Sequence, residues 1–136
     1  MKKIIYIDEV EIKNKTVLLR ADFDVSLNPD QTIADDVRIQ KNIPTIRHLL
    51  KNDNRLICVA KLDRPKIRDS KLSLMPVVKR LNKYLPDYKI TLVNDFLSDD
   101  KQIFEKQTNK KILVLENIRF YPKEKDYISA GLQIQF

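Results

Sequence analysis

The sequence predicts an α/β protein with a Rossmann-like three-layer fold, a parallel sheet with helices on both faces. Short apolar runs at residues 17–19, 56–60, 90–93 and 111–115 read as strands. Segments with apolar residues at helical spacing separate them, the alternation that builds parallel sheets through right-handed crossovers. Three of these strands run straight into charge: Asp22-Phe-Asp24, Lys61-Leu-Asp-Arg-Pro65 and Glu116-Asn-Ile-Arg-Phe120. The crevice beyond the carboxyl ends of the strands is where open α/β sheets bind ligands.

Taken in order, residues 2–8 alternate weakly and are expected to add a short strand or hairpin. Val17, Leu18 and Leu19 are apolar without interruption, as in a strand buried on both faces. Asn28-Pro-Asp-Gln31 has the composition of a turn. Asp35 or Asp36 is a natural N-cap and places Arg38 in the first turn of a helix. Pro44 has no N–H to give mid-helix, so the helix is expected to restart there with Pro44 at its first position. Ile43, Ile46, Leu49 and Leu50 then share one face. After the strand at 56–60, residues 61–73 form a basic, turn-rich loop long enough to be functional. Ser73 is expected to cap a helix with Pro76 just inside it, running to Leu85 on a stripe of Val77, Val78, Leu81 and Leu85. Asp99 or Asp100 is expected to cap a short helix through Thr108, with Ile103 and Phe104 facing inward. Residues 126–136 carry no assignment. No repeat, low-complexity tract or linker interrupts the chain, so 1–136 reads as a single domain.

At 136 residues such a domain buries roughly two-thirds of its unfolded surface. Charged residues make up 33% of it and the net charge is +7. That balance attracts anions, whether nucleic acid, an acidic membrane or a phosphorylated metabolite. The one cysteine, Cys58, excludes an internal disulfide and lies in an apolar strand, where a packed, inert thiol is expected. No apolar run approaches the ~20 residues of a membrane span and no signal peptide is visible, so no membrane partner and a cytoplasmic location are expected. The single glycine, Gly131, excludes every glycine-rich phosphate loop. Phosphate, if bound, is bound by side chains.

Asp22 and Asp24 beyond a strand have the form of a metal or phosphoryl-acceptor pair, as in haloacid-dehalogenase-type phosphatases. That family also needs a later lysine and a further acidic pair, on elements this chain is too short to supply. A turn-forming role is the plain structural alternative. Arg38, Arg64 and Arg119 are each unremarkable in a basic protein, but two follow strands and the third lies in the helical turn after the first strand. Converging at one sheet edge, their planar donor forks would suit a phosphate together with a carboxylate. His48, late in a helix, suits the helix dipole and is assigned no chemistry. Lys66, Arg68 and Lys71 lack the interleaved aromatics of single-strand binders, so a solvated basic loop is expected there and a nucleic-acid partner is not.

In this order and spacing, residues 17–27, Asp36-Val-Arg38 with Pro44-Thr-Ile46, Leu62-Asp-Arg-Pro65, Leu72-Ser-Leu-Met-Pro-Val77 and Leu115-Glu-Asn-Ile-Arg-Phe120 resemble the N-terminal lobe of phosphoglycerate kinase. The resemblance covers about residues 16–122. It implies a two-lobed glycolytic enzyme that moves a phosphoryl group between 1,3-bisphosphoglycerate and ADP. The N-terminal lobe of the family holds the glycerate in a basic patch, and the C-terminal lobe holds the Mg-nucleotide. By motif, Asp22 resembles the aspartate that contacts the substrate hydroxyl. Arg38 resembles the catalytic arginine that bridges substrate and transferred phosphoryl, and Arg64 and Arg119 resemble arginines that clamp the distal phosphate. The family usually has Asn at the position of Asp24, His at Lys61 and Gly at Asp63. An Asp24–Lys61 pair would preserve one acceptor and one donor in substrate binding. Asp63 puts a carboxylate beside a phosphate, which at ~6 Å and an effective dielectric of 20 costs about 3 kcal/mol, although aspartate tolerates a left-handed backbone.

The resemblance spans roughly the first third of the family's length, and residues 126–136 match nothing in it by motif. It therefore implies a lobe that binds 3-phosphoglycerate or another small phosphorylated acid, with no metal ligands. Mg-ATP or ADP is expected only with a partner, the nucleotide lobe, and the chain alone is expected to be inactive. The alternative is a non-catalytic anion-binding or interaction domain derived from that lobe.

Overall fold

The computed structural model describes residues 3–97 and 101–121. In chain order its elements are β1 (Thr16–Arg20), β2 (Ser26–Leu27), β3 (Ile33–Asp35), α1 (Val37–Leu50), β4 (Arg55–Val59), α2 (Met75–Tyr84), β5 (Lys89–Val93), α3 (Gln102–Glu105) and β6 (Lys111–Leu115). Single 3-10 turns lie at Ile7–Glu9, Ser70–Leu72 and Ile118–Phe120.

Four strands form one parallel sheet in the order β1-β4-β6-β5. Registers such as Leu19↔Cys58, Cys58↔Val114 and Ile90↔Ile112 align the apolar runs, so side chains alternate between two cores. On one face Leu56, Cys58, Ile112 and Val114 meet Ile46, Leu49, Val77 and Leu81 of α1 and α2. On the other, Ile57, Val59, Leu113 and Leu115 meet Phe104 of α3 with Phe96, Phe120 and Tyr121. Helices thus lie on both faces. Burial pushes the Cys58 thiol up to about 12, which leaves it unreactive. Among the described residues no helix is long and apolar enough to cross a membrane.

The structure corrects four local expectations and adds a hairpin to a fifth. β1 is not buried on both faces: Val17 and Leu19 pack on the first core, but Leu18 is 36% exposed. β1 is one of the two edge strands, and its second face is left partly open at Leu18. Residues 3–8 form no strand or hairpin, only the 3-10 turn at Ile7–Glu9, with Ile4, Ile5 and Tyr6 exposed. Pro44 does not restart a helix, because α1 is continuous through it. A mid-helix proline costs about 3 kcal/mol. Buried Ile39, Ile46, Leu49 and Leu50 lie on both sides of it, and burial at about 1.5–3 kcal/mol each outweighs that cost. The turn at 28–31 closes an antiparallel hairpin of β2 and β3 that its composition alone did not announce. Finally, α3 is one turn long and ends well short of Thr108, with Phe104 buried as expected; the proposed caps, Asp99 and Asp100, lie outside the described residues.

Of the two candidate aspartates, only Asp35 caps α1 with its side chain. Asp35 Oδ1 accepts the Val37 N–H at 2.9 Å. Asp36 instead accepts the Tyr84 hydroxyl, Arg80 Nη1 and Gln40 Nε2, tying the start of α1 to α2. Those hydrogen bonds, Tyr84 first, outweigh burial and hold the Asp36 carboxyl at about 2, against an ordinary 3.8. A depressed carboxyl pKa stabilises the fold above the unfolded value, and the contribution is lost as pH falls through the folded one. Wild type is therefore expected to lose urea resistance faster than Asp36→Asn between about pH 4 and 2. Parallel pH profiles for the two proteins would refute this assignment.

Candidate functional site

Beyond β1 the chain stays extended, with the Ala21 N–H donating to Val59 C=O at 2.9 Å. Ala21, Phe23 and Val25 are buried, so period-two alternation turns Asp22 and Asp24 outward. Arg38, in the first turn of α1, reaches back with Nη1 to Asp24 C=O at 3.1 Å and Asp22 Oδ1 at 3.4 Å. One turn later, Asn42 Nδ2 donates to Asp22 C=O and Arg38 C=O. The start of α1 is thus clamped to the Asp22–Asp24 segment.

β4 delivers the opposite wall. Lys61 Nζ lies 2.7 Å from Asp24 Oδ2, and the Asp63 N–H donates to Asp24 Oδ1 at 2.9 Å. The expected Asp24–Lys61 pair therefore forms. Asp63 has φ 55°, the left-handed backbone that a glycine takes without strain. Burial opposes the charged form of Asp24, but the Asp63 N–H, Lys61 and the Arg38 charge together hold its carboxyl below the usual range. The two ion pairs differ in strength. Arg38 and Asp22 are more than half exposed, a setting worth 0–1 kcal/mol, so a ligand can take over Arg38 at little cost. Lys61 and Asp24 are 36% and 23% exposed and closer together.

β6 supplies the brace. Asn117, fully buried, accepts the Leu62 and Arg119 N–H groups and donates to Leu62 C=O and Leu72 C=O. The Ile118 N–H donates to Ala60 C=O at 3.0 Å. Glu116, also buried, accepts the Ser73 hydroxyl and the N–H groups of Leu74 and Asn117. Ser73 Oγ in turn accepts the Met75 N–H, so the expected cap works from two residues upstream.

Two clefts flank Arg38. A 310 Å³ cleft is lined by Arg20, Asp22, Arg38 and Lys61, and a 550 Å³ cleft by Asp24, Leu27, Arg38, Asp63 and Lys71. The structure therefore gathers Asp22, Asp24, Arg38 and Lys61. Exposed Arg64 and half-buried Arg119 line neither cleft. Their backbone segments are stitched together by Asn117 and Ile118. Arg20 was not singled out in the sequence, though its spacing of two from Asp22 puts both on one side of the extended chain. Arg68 lies exposed in the basic loop as expected, but its guanidinium is anchored. It donates to Asn94 C=O and the Tyr121 hydroxyl and lies 5.1 Å from the Phe120 ring centroid and 5.6 Å from that of Tyr121. Those partners are distant in sequence and left no local signal.

The sequence profile described as Phosphoglycerate kinase matches residues 7–134. The chain belongs to the phosphoglycerate kinase family. Its match extends beyond the motif-bearing region, into residues 126–134. The phosphoglycerate kinase of Aquifex aeolicus is 38% identical over 117 residues, 85% of this chain and 29% of that protein. The phosphoglycerate kinase of a Nitratiruptor species is 41% identical over 120 residues, 87% of this chain and 30% of its own length. The structure of phosphoglycerate kinase from Coxiella burnetii superposes with a TM-score of 0.72 at 28% identity, over 84% of this chain and 28% of that one. The Pyrococcus horikoshii enzyme gives a TM-score of 0.73 at 22% identity, over 87% of this chain and 29% of that one, a likeness of fold. The chain thus spans about 30% of the length of these curated relatives. Family membership displaces the phosphatase reading of Asp22 and Asp24.

Proposed function

We propose that this chain is the substrate-binding lobe of a phosphoglycerate kinase, serving phosphoryl transfer between 1,3-bisphosphoglycerate and ADP. The observation that carries the reading is Arg38, set in the shared wall of two clefts and held by the Asp24 C=O and by a weak, exposed contact with the Asp22 carboxylate. In this reading Asp22 accepts the glycerate hydroxyl and Arg38 exchanges Asp22 for the transferred phosphoryl. Lys61, balanced by Asp24, adds a cation to the same wall. Arg64 and Arg119, from the two stitched segments, clamp the distal phosphate. In this reading the Mg-nucleotide is held by a partner lobe, and no step is assigned to it here. A cytoplasmic location is part of the reading.

Millimolar 3-phosphoglycerate is expected to raise the melting temperature more than chloride at equal ionic strength. A ligand at a hundred times its Kd that binds only the folded state adds about 2.7 kcal/mol. Arg119→Ala should lose most of the shift. Equal shifts for both salts, or an unchanged response in Arg119→Ala, would sink the reading. In the second reading, a non-catalytic anion-binding domain, the Asp63 carboxylate repels the substrate phosphate from the 550 Å³ cleft and a smaller anion is left to bind beside Arg20, Arg38 and Lys61. That reading predicts the same or larger shifts with inorganic phosphate.

A further inference from the structure

Asp63 is held in a left-handed conformation beside Arg64, where a residue with a side chain carries strain unless its surroundings fix it. Two contacts fix it. Its own Oδ1 accepts the Arg64 N–H at 2.9 Å, and its N–H donates to Asp24 Oδ1 at 2.9 Å. The second oxygen of Asp24 faces Lys61 Nζ at 2.7 Å. One carboxylate thus spans the first and third residues of the loop that bears Arg64. Only a carboxylate can accept from both donors, because an amide there would turn its NH₂ toward the lysine ammonium. Conversely, this carboxylate is only 23% exposed and depends on Lys61 for neutralisation.

We propose that Asp24 is the positioning residue of the loop at 61–64: its two oxygens join Lys61 to the left-handed turn at Asp63, and Asp24 and Lys61 act as one unit that sets where Arg64 stands. The inference deepens the proposed function and rests on it for what the loop binds. Lys61 is then first a structural counter-cation and only second a contact for an anion.

Amide hydrogen exchange on the full chain tests the first half. Asp24→Ala will speed exchange at the Asp63 amide about tenfold or more, while Cys58 and Val114 in the central strands keep wild-type rates. Asp24→Asn, which retains one acceptor, will leave the Asp63 rate within about threefold of wild type. A double-mutant cycle in urea tests the second half. Lys61→Met will lower the midpoint, and adding Asp24→Asn will recover at least half of the loss. For binding, Asp24→Ala will weaken 3-phosphoglycerate about tenfold, and Asp24→Asn, which keeps the contact to the Asp63 N–H but loses the one to Lys61, will weaken it by less. An unchanged Asp63 rate in Asp24→Ala, a parallel loss at Cys58 and Val114, or no recovery in the double variant each overturns the proposal. If wild type gains no stability from 3-phosphoglycerate, the functional reading fails instead, and the exchange pattern still decides the role of Asp24.

Discussion

Asn117→Ala will lower the free energy of unfolding by about 3–5 kcal/mol, the largest loss expected from any side chain of the site. Asn117 is fully buried and uses both ends of its amide: two N–H groups donate to it and two carbonyls accept from it. Alanine leaves the Leu62 N–H and C=O without it in a buried place and removes two part-buried bonds, to Leu72 and Arg119, at about 1 kcal/mol or more for each bond. Total stabilities run about 5–15 kcal/mol, so this is a large share. Asn82 provides the control. It also makes three hydrogen bonds, to Val78 and Ile90, but it is exposed, and water can replace them. Asn82→Ala should cost about 1 kcal/mol. Urea midpoints compare the two, and a loss at Asn117 no larger than at Asn82 would refute the brace. Because Asn117 joins residues 62, 72 and 119, binding of 3-phosphoglycerate measured directly on the folded Asn117→Ala protein, below its unfolding transition, should be lost as well.

The second large effect is an absence of turnover. Phosphoryl transfer depends on holding donor and acceptor oxygens in line while a metal neutralises the developing charge. Misplacement by as little as 1 Å can cost about a hundredfold, so an acceptor lobe alone retains none of the alignment across two lobes. In the proposed reading Arg38, Asp22 and Lys61 offer the acceptor half, and the carboxylate of Asp63 weakens even that. An assay with ATP, Mg²⁺ and 3-phosphoglycerate, coupled to detect 1,3-bisphosphoglycerate, should read at blank level for the purified chain. Turnover that scales with protein and vanishes in Arg38→Ala would prove this wrong. It would show that a second copy of the chain supplies the nucleotide site.

The four parallel strands, the helices between them and the charged segments at the strand ends were all legible in the sequence. These are local properties, written in apolar runs, helical spacing and the residues at each strand's end. The motifs also located Asp22, Asp24, Arg38 and Lys61, which the fold brings together. Tertiary structure alone decided the rest. Whether Leu18 is covered depends on which strand has a neighbour, and β1 lies at the edge of the described sheet. Pro44 stays inside α1 because burial on both sides of it exceeds the cost of one lost hydrogen bond. The roles of Asn117 and Arg68 come from partners between 26 and 55 residues away in the chain. Such bonds exist only after the sheet has brought its strand ends side by side, so the physical reason they were invisible is that nothing in either segment alone requires the other.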